Sequence, residues 1–310
     1  MGTPMFAAHQ LQALVDAGYE VVAVVTTPDK PAGRGWQMQT SAVKERALAL
    51  GLPLLQPVHL HDENFLNNLR SYNADIFVVV AFRMLPQAVW QMPPRGTFNL
   101  HASLLPQYRG AAPIQWAIIN GETQTGLTTF LIDPTMDTGN ILLQQTVSLL
   151  PTDDAEILHD KLMLLAGDVI MRTINGLADQ SLVAQVQPQV KEIKTAPKLT
   201  KSNTCINPHC SVAEAANFVR GLSPHPAAWM QVRLGNELPQ VLKVYAAQAE
   251  AGSSELPAGT IVQDSTTLRL RCADGFLNIL SLQLQGKKRM NTPDFLRGLR
   301  AEITHYQQSQ

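Results

Sequence analysis

The sequence predicts an α/β fold: a Rossmann-like, twisted and mostly parallel sheet, followed by a small β-barrel of the oligonucleotide-binding type. Continuous apolar runs at residues 20–26 (EVVAVVT) and 74–81 (ADIFVVVA) are typical of strands covered on both faces, and helical segments alternate with them. Five short strand patterns at close spacing after residue 228 predict the barrel. A chain of 310 residues is long enough for two such domains.

Several helix boundaries can be identified from capping residues. A first helix is predicted over 4–17 and ends before Gly18, and a second over 41–50 begins with Ser41 as its N-cap. Asp62 is a natural N-cap for a third. The remaining predicted elements are strands at 97–101, 126–133 and 141–149, helices at 114–120, 153–175, 212–222 and 292–302, and barrel strands at 229–234, 241–249, 259–263, 267–272 and 276–283.

Charge is divided unevenly along the chain. Residues 1–197 carry 12 basic and 17 acidic side chains, whereas residues 198–310 carry 12 basic and 8 acidic ones. A basic C-terminal part indicates a polyanionic partner, although a solvated surface without a partner gives the same composition. We expect a catalytic α/β domain at 1–184, a Gln-, Lys- and Pro-rich linker at 185–200, and an OB-like domain at 201–310.

Composition also excludes several classes of protein. No apolar run is long enough to span a membrane, and the N-terminus lacks the pattern of a signal peptide. Three cysteines cannot all pair with one another, and their small number fits a reducing compartment, so we expect a cytoplasmic protein. No G-x-G-x-x-G follows a strand, so a nicotinamide site is not predicted.

Two clusters could in principle hold a metal ion. His59, His61 and Asp62 lie at a helix start, where Asp62 serves equally well as a cap. Cys205, His209 and Cys210 lack a C-x-x-C pair and a second pair of ligands. We therefore predict no metal.

The most informative stretch runs from Thr97 to Pro113 (TFNLHASLLPQYRGAAP). Its first five residues form a strand pattern that places Asn99 and His101 on one side, because strand side chains repeat every two residues. Downstream, Asp137 lies in the loop TMDTG, where a carboxylate can be directed at an imidazole.

These three side chains suit acyl transfer from a formyl donor to an amine. Asn99 can donate a hydrogen bond to the formyl oxygen as negative charge develops there, and His101 can manage a proton. Asp137 can fix the histidine tautomer. The alternative is that Asn99 caps a turn and His101 is an ordinary core histidine. No serine or cysteine is placed as a nucleophile, so we expect direct transfer.

Two long motifs, NLHASLLPQYRGAAPIQWAIINGE and GLTTFLIDPTMDTGNIL, resemble the folate-dependent formyltransferases, and most closely their tRNA-acting branch. The likeness extends from Gly2-Thr3-Pro4 through PDKPAGRG to LQGKKRM, and so covers nearly the whole chain. Members carry an apolar strand before the Gly-Thr-Pro turn. That strand is missing here, and we expect a start placed too late and a sheet without its first strand.

The resemblance implies both the reaction and the residues that perform it. A formyl group would pass from 10-formyltetrahydrofolate, the co-substrate, to the α-amino group of methionine on initiator methionyl-tRNA. Asn99, His101 and Asp137 would be catalytic. The implied folate contacts are Ser103, Leu104, Leu105, Pro106, Phe82, Met84 and Leu85. Many members have Tyr-Gly where this chain has Phe82-Arg83, which leaves the role of Arg83 open.

The implied tRNA contacts lie in three places: a basic loop after the second strand, the linker, and a loop of the barrel. They are Lys30, Arg34, Lys198, Lys287, Lys288 and Arg289. In the first of these loops Trp36 could stack on a base or simply pack. Each cation could equally belong to a solvated surface.

Three other functions compete with this interpretation. A formyltransferase acting on an amino sugar nucleotide would share the catalytic residues but use its C-terminal part for sugar recognition. A purine-pathway formyltransferase would be shorter and would lack the barrel. A non-catalytic RNA-binding protein could have retained an old enzyme core. We expect a monomer with no membrane partner.

Overall fold

The computed structural model describes residues 1–32 and 37–305. Contacts between residues divide the chain into two compact units. The α/β unit comprises Met1–Gly110, Gln124–Ser148 and Asp160–Thr195, and the barrel unit comprises Ala111–Thr123, Leu149–His159 and the chain from Ala196 onward. Short segments of the first half of the chain therefore belong to the barrel unit. The boundaries expected at residues 184 and 200 stay predictions.

Eight helices occur in the described residues: α1 (Met5–Asp16), α2 (Ala42–Ala49), α3 (Glu63–Ser71), α4 (Gln87–Trp90), α5 (Pro113–Ile119), α6 (Ala155–Ala178), α7 (Val212–Leu222) and α8 (Thr292–Arg297). The strands of the same residues are β1 (Val24–Val25), β2 (Lys30–Ala32), β3 (Gln37–Gln39), β4 (Leu54–Leu55), β5 (Phe77–Val80), β6 (Thr97–His101), β7 (Arg109–Gly110), β8 (Gln124–Leu131), β9 (Ile141–Ser148), β10 (Thr195–Ala196), β11 (Ala228–Leu234), β12 (Gln240–Ala251), β13 (Ile261–Gln263), β14 (Leu268–Arg271), β15 (Gly275–Leu284), β16 (Met290–Asn291) and β17 (Ile303–His305).

The sheet of the α/β unit has the order β5-β6-β8-β9. Strands β5 and β6 are parallel, whereas β8 and β9 form an antiparallel hairpin next to β6. Strands β1 and β4 form a separate parallel pair. The Rossmann-like class is thus confirmed, with an antiparallel hairpin at one edge.

Met1 and Gly2 connect the two groups of strands. The Gly2 N–H donates to the Val25 carbonyl at 3.1 Å, and the Val80 N–H donates to the Met1 carbonyl at 2.9 Å. Met1 and Gly2 therefore lie between β1 and β5, and Gly2 forms a parallel bridge with Val80. A Cβ on Gly2 would lie 2.5 Å from the Ala7 Cβ, and glycine is therefore required.

One predicted strand is shorter in the structure than expected. The apolar run at 20–26 was expected to be a strand throughout, but only Val24 and Val25 are paired as one. A strand needs a neighbour that takes up its backbone hydrogen bonds. Beside β1 the chain supplies β4 on one side and only the N–H of Gly2 on the other.

The helix caps predicted from sequence are present. The Ser41 hydroxyl accepts the Lys44 N–H at 3.0 Å, and the Asp62 carboxylate accepts the Phe65 N–H at 2.9 Å. Both bonds satisfy backbone donors that a helix leaves free at its N-terminus. Asp62 therefore caps a helix, which was the structural role that the sequence offered as an alternative to metal binding.

The barrel unit contains a sheet of order β13-β14-β15-β12-β11-β17, with β16 on β15. All of these pairings are antiparallel. The Ile303 N–H donates to the Gln263 side chain at 3.1 Å, which joins β17 to β13 and nearly closes the barrel. Strand β11 alternates buried and half-buried residues along its whole length, so one face forms the barrel core.

One predicted element of the barrel unit is wrong. A helix was expected over 292–302, but α8 ends at Arg297 and Ile303–His305 form β17 against β11. The helix ends at Gly298, a residue type with low helix propensity. The residues that follow then gain ladder hydrogen bonds from β11, a long-range partner that local sequence does not reveal.

Candidate active site

His101 lies at the end of β6 and is 7% exposed. Strand β6 runs between β5 and β8, which fixes the direction of its side chains. The His101 Nε2 lies 2.8 Å from the Tyr108 carbonyl oxygen, so Nε2–H donates to that carbonyl. This bond selects the tautomer. The sequence attributed that role to Asp137, but a backbone carbonyl seven residues away performs it.

Asp137 lies in the connection between β8 and β9. Its backbone adopts φ +56°, an unusual value for a residue other than glycine, and its carboxylate accepts the Gly110 N–H at 2.9 Å. The His101 Nδ1 is 3.9 Å from the Asp137 Oδ2. That distance suits an ion pair and exceeds a direct hydrogen bond. The structure thus brings together the imidazole and the carboxylate that the sequence selected.

Asn99 occupies the same strand, two residues before His101. Its Oδ1 is buried and has no hydrogen-bond partner among the described residues. Leaving a buried amide oxygen unpaired costs about 1–3 kcal/mol, so such an atom in a folded protein calls for an explanation. A substrate that supplies the missing donor would remove this cost.

The turn at Ser103–Pro106 was expected to hold folate through its backbone. Most of its polar groups already have protein partners. The Thr128 hydroxyl donates to the Ser103 carbonyl at 2.6 Å, and the Gln144 amide donates to the Leu105 carbonyl at 2.9 Å. The Leu104 carbonyl accepts the Gln107 N–H at 3.1 Å. These bonds make the turn a rigid support for the end of β6.

The loop after β5 carries the other predicted folate contacts. Leu85 is 6% exposed and packs in the apolar core, with Phe82 partly buried against that core. Met84 is 65% exposed and lines a pocket of about 320 Å³. The other lining residues are Val58, His59, Leu60, His61, Arg83, Leu85 and Pro86. Of the three predicted residues, Met84 is the most exposed.

Arg83, which the sequence left without a role, borders this pocket. Its guanidinium donates to the carbonyls of Pro57 and Val58, and its Nε is buried with no partner among the described residues. Burial lowers the pKa of Arg83. These contacts hold the loop after β5 against residues 57–58.

The predicted tRNA contacts are exposed wherever the structure describes them. Lys30 begins β2 in the α/β unit, and Lys198 lies in the barrel unit. Arg34 and Trp36 fall outside the described residues. Lys287, Lys288 and Arg289 form an exposed basic loop between β15 and β16.

Arg289 of that basic loop contacts two side chains of the barrel unit. Its guanidinium carbon lies 4.4 Å from the centroid of the Tyr245 ring, and its Nε donates to the Ser281 hydroxyl at 3.1 Å. A guanidinium stacked on an aromatic ring still presents its outer N–H groups to a phosphate.

Cys205, Cys210 and Cys272 are free thiols, and burial raises the pKa of Cys272 to about 11. Within residues 1–32 and 37–305 no group of three or more His, Cys, Asp or Glu side chains is arranged to hold a metal ion. In the same residues no helix has both the length and the apolarity needed to cross a membrane.

Sequence reasoning missed Gln187, which was assigned to a solvated linker. Gln187 is 8% exposed and hydrogen-bonds both to Arg109 and to the loop of Asp137. No local signal marks it, because it is one glutamine among several in a polar stretch.

Comparison with known proteins identifies the family. The formyl transferase model matches residues 1–174, and the model of the formyl transferase C-terminal domain matches residues 198–300. Methionyl-tRNA formyltransferase of Bacteroides thetaiotaomicron is 48% identical over 304 residues, covering 97% of this chain and 94% of that protein. The protein of the same name from Phocaeicola vulgatus is 50% identical over 306 residues, with coverages of 97% and 94%.

Solved structures share the fold at lower identity. The N-formyltransferase of Helicobacter canadensis, in complex with folinic acid and dTDP-3-aminofucose, superposes with a TM-score of 0.65 at 17% identity, covering 93% of this chain and 97% of that one. HypX from Aquifex aeolicus, in complex with tetrahydrofolic acid, gives 0.56 at 16% identity, with coverages of 86% and 47%. With both of its domains matched, this chain belongs to the formyl transferase family.

Proposed function

We propose that this protein transfers a formyl group from 10-formyltetrahydrofolate to the α-amino group of methionine on initiator methionyl-tRNA, for translation initiation. The acceptor follows from relatives near 48% identity that match both domains over nearly their whole length. One observation carries the chemistry: His101 and Asp137 meet at the end of the strand that also holds Asn99, whose buried Oδ1 is unpaired.

Each of the three side chains has a distinct task in the transfer. The amine nitrogen attacks the formyl carbon, and the bond from that carbon to N10 of the folate breaks. Asn99 donates through Nδ2 to the oxygen that gains negative charge, while its unpaired Oδ1 can accept an N–H of a substrate. The amine loses one proton, and N10 gains one to give tetrahydrofolate.

His101 manages the proton, directly or through a water molecule. Its Nε2–H is committed to the Tyr108 carbonyl, so Nδ1 is the nitrogen left to exchange a proton. Nδ1 is also the nitrogen that lies 3.9 Å from the Asp137 Oδ2. No covalent enzyme intermediate is needed.

The two substrates contact different sets of residues. Folate contacts Met84 and the pocket beside it, with Phe82, Leu85 and the Ser103–Pro106 turn as support. The tRNA contacts the cations predicted from sequence, which are Lys30, Arg34, Lys198, Lys287, Lys288 and Arg289. The protein acts as a monomer in the cytoplasm.

The second candidate is transfer to an amino sugar nucleotide. It is favoured by structural neighbours such as the sugar 3N-formyl transferase WlaRD, which superposes over 93% of this chain with a TM-score of 0.63. Identity to that protein is 17%, which supports a common fold and leaves the acceptor open. The much higher identity of the tRNA-named relatives favours the first function.

The test is formylation of three acceptors with 10-formyltetrahydrofolate as donor. We expect rapid transfer to initiator methionyl-tRNA, much slower transfer to elongator methionyl-tRNA, and none to an amino sugar nucleotide. Preference for the sugar nucleotide would establish the second candidate. Binding of tRNA without any formyl transfer would indicate a non-catalytic RNA-binding protein.

A further inference from the structure

A segment predicted to be a linker instead ties together the two loops that flank His101. We call residues 185–194 the strap. At its start, Gln185 exchanges two backbone hydrogen bonds with Ile141, of 2.7 and 2.8 Å, at the beginning of β9. At its end, the Lys194 carbonyl accepts the Tyr108 N–H at 2.6 Å. The strap is thus fixed both to the loop of Asp137 and to the turn after β6.

Burial along this segment is the reverse of what hydrophobicity predicts. Val186 and Val190 are 80% and 40% exposed, whereas Gln187 is 8% exposed. Gln187 is the one strap residue that is buried. Removing an amide from water is unfavourable unless its groups find partners, so the buried position must be specified by hydrogen bonds.

Gln187 finds those partners on both sides of the site. Its Nε2 donates to the carbonyls of Asp137 and Gly139, each at 2.9 Å. Its Oε1 accepts from Arg109, at 2.6 Å from Nη2 and 3.3 Å from Nε. Both N–H donors and the oxygen of one amide are therefore used.

The two segments that Gln187 joins are also the ones that contact His101. Arg109 stands between Tyr108, whose carbonyl accepts the imidazole N–H, and Gly110, whose N–H donates to the Asp137 carboxylate. Asp137 has the left-handed backbone conformation, which costs free energy unless neighbouring contacts maintain it. The bond from Gln187 to the Asp137 carbonyl is such a contact.

We propose that Gln187 is a positioning residue, which holds the Asp137 carboxylate at its distance from the His101 imidazole by hydrogen-bonding the Asp137 and Gly139 carbonyls while anchoring Arg109. This rests on the proposed roles of His101 and Asp137. Gln187 touches no substrate. It acts by fixing the relative position of two loops that are 27 residues apart at their Gly110–Asp137 contact.

Two substitutions distinguish the hydrogen bonds that Gln187 donates from those that it accepts. Gln187→Met keeps the length of the side chain and removes every hydrogen bond. Gln187→Glu keeps an acceptor for Arg109 and removes both donors to the loop carbonyls. The matched control is Gln189→Met, because Gln189 is an exposed glutamine of the same strap.

We expect both Gln187 variants to lower kcat about ten- to a hundredfold, since a displaced catalytic group loses much of its effect. KM for methionyl-tRNA and for 10-formyltetrahydrofolate should stay within about twofold, because Gln187 binds neither substrate. The ¹⁵N chemical shifts of the His101 ring should change in both variants. Gln189→Met should match the unsubstituted protein in all three measurements.

A kcat in Gln187→Glu equal to that of the unsubstituted protein would overturn the proposal, because the bonds to the loop carbonyls would then be dispensable. Circular dichroism and thermal melting separate a displaced loop from an unfolded chain. His101→Ala and Asp137→Ala are measured alongside. If those two retain turnover, the proposed catalytic roles fail; if they lose it while both Gln187 variants do not, only the positioning role fails.

Discussion

The core of the barrel unit and the His101 site of the α/β unit are stabilised in opposite ways. Met230, Leu242, Leu270 and Leu277 are fully buried in an apolar barrel interior. Around His101, hydrogen bonds between distant loops hold buried polar groups in place. Apolar burial contributes much of the free energy of folding, whereas these hydrogen bonds add little net stability and determine geometry.

This contrast predicts that substitutions in the barrel core lower stability and leave chemistry unchanged. Leu270→Ala should reduce the free energy of unfolding by about 2–5 kcal/mol, because it removes buried methyl groups and leaves a cavity. The measurement is urea denaturation followed by circular dichroism. Leu238→Ala is the matched control, since Leu238 is 84% exposed, and it should change stability by less than about 0.5 kcal/mol.

A Leu270→Ala protein that still folds should keep the kcat of the unsubstituted protein for formyl transfer. If stability were unchanged and kcat fell instead, the barrel core would be part of the catalytic machinery, and the division between the two regions would be wrong.

The converse prediction concerns the catalytic site. Asn99→Ala and His101→Ala should each lower turnover at least about a hundredfold, since loss of one oxyanion donor typically costs ~3 kcal/mol of transition-state stabilisation. Thermal stability should be unchanged or slightly higher in Asn99→Ala, because a buried unpaired oxygen is removed. Single-turnover formylation of methionyl-tRNA measures the first effect and calorimetry the second.

Asn68→Ala, on the exposed side of α3, is the control for that pair. Near-normal turnover in both Asn99→Ala and His101→Ala would refute the assignment of the catalytic residues.

A third prediction tests whether the barrel unit contributes to binding through its surface. Substituting Lys287 and Lys288 by glutamine should weaken tRNA binding and make its salt dependence shallower, by about one unit of slope for each phosphate that the variant no longer neutralises. Filter binding over a range of salt concentrations measures the slope. Neutralising Arg70 and Arg172, two exposed arginines of α3 and α6, removes the same charge and should leave the slope nearly unchanged.

Equal losses in the two double variants would mean that overall charge, and not the basic loop, attracts tRNA. Formylation at saturating tRNA should be unaffected in either case, because neither pair of residues contacts His101.

The smallest effect is expected at the start of α7. Ser211 and Glu214 form a capping box, in which the Ser211 hydroxyl accepts the Glu214 N–H at 3.2 Å and the Glu214 carboxylate accepts the Ser211 N–H at 2.9 Å. Ser211→Ala should lower the free energy of unfolding by about 1 kcal/mol. Ser253→Ala, at an exposed loop position, should lower it by less.

This capping effect should depend on pH. Hydrogen bonds from the Ser211 hydroxyl and N–H lower the pKa of Glu214. The carboxylate therefore stabilises the folded state above the pKa of an unfolded glutamate, and its contribution is lost as pH falls through the lower folded value. Urea denaturation at pH 7 and at pH 3 should show the Ser211→Ala difference narrowing in acid, and a constant difference would contradict this cause.

In both regions, sequence predicted local elements better than elements that depend on remote partners. The barrel strands and the helix caps at Ser41 and Asp62 were predicted because each depends on neighbouring residues: alternation along a strand, or one side chain three positions from a backbone donor. Strand β6, which carries Asn99 and His101, was predicted for the same reason. What failed were elements with remote partners, such as β17, which exists through its pairing with β11.

Residue types and spacing made Asn99, His101 and Asp137 candidates but left an ordinary turn cap and core histidine as the alternative. The resemblance to the folate-dependent formyltransferases then implied their catalytic role. Only the tertiary structure showed that a backbone carbonyl of Tyr108 sets the histidine tautomer, and that a glutamine of a supposed linker holds the loop of Asp137. The physical reason is the sequence separation between the partners of a contact. Local patterns encode which backbone and side-chain groups seek partners, but the partners of buried polar groups are chosen by the folded chain, which brings together residues far apart in sequence.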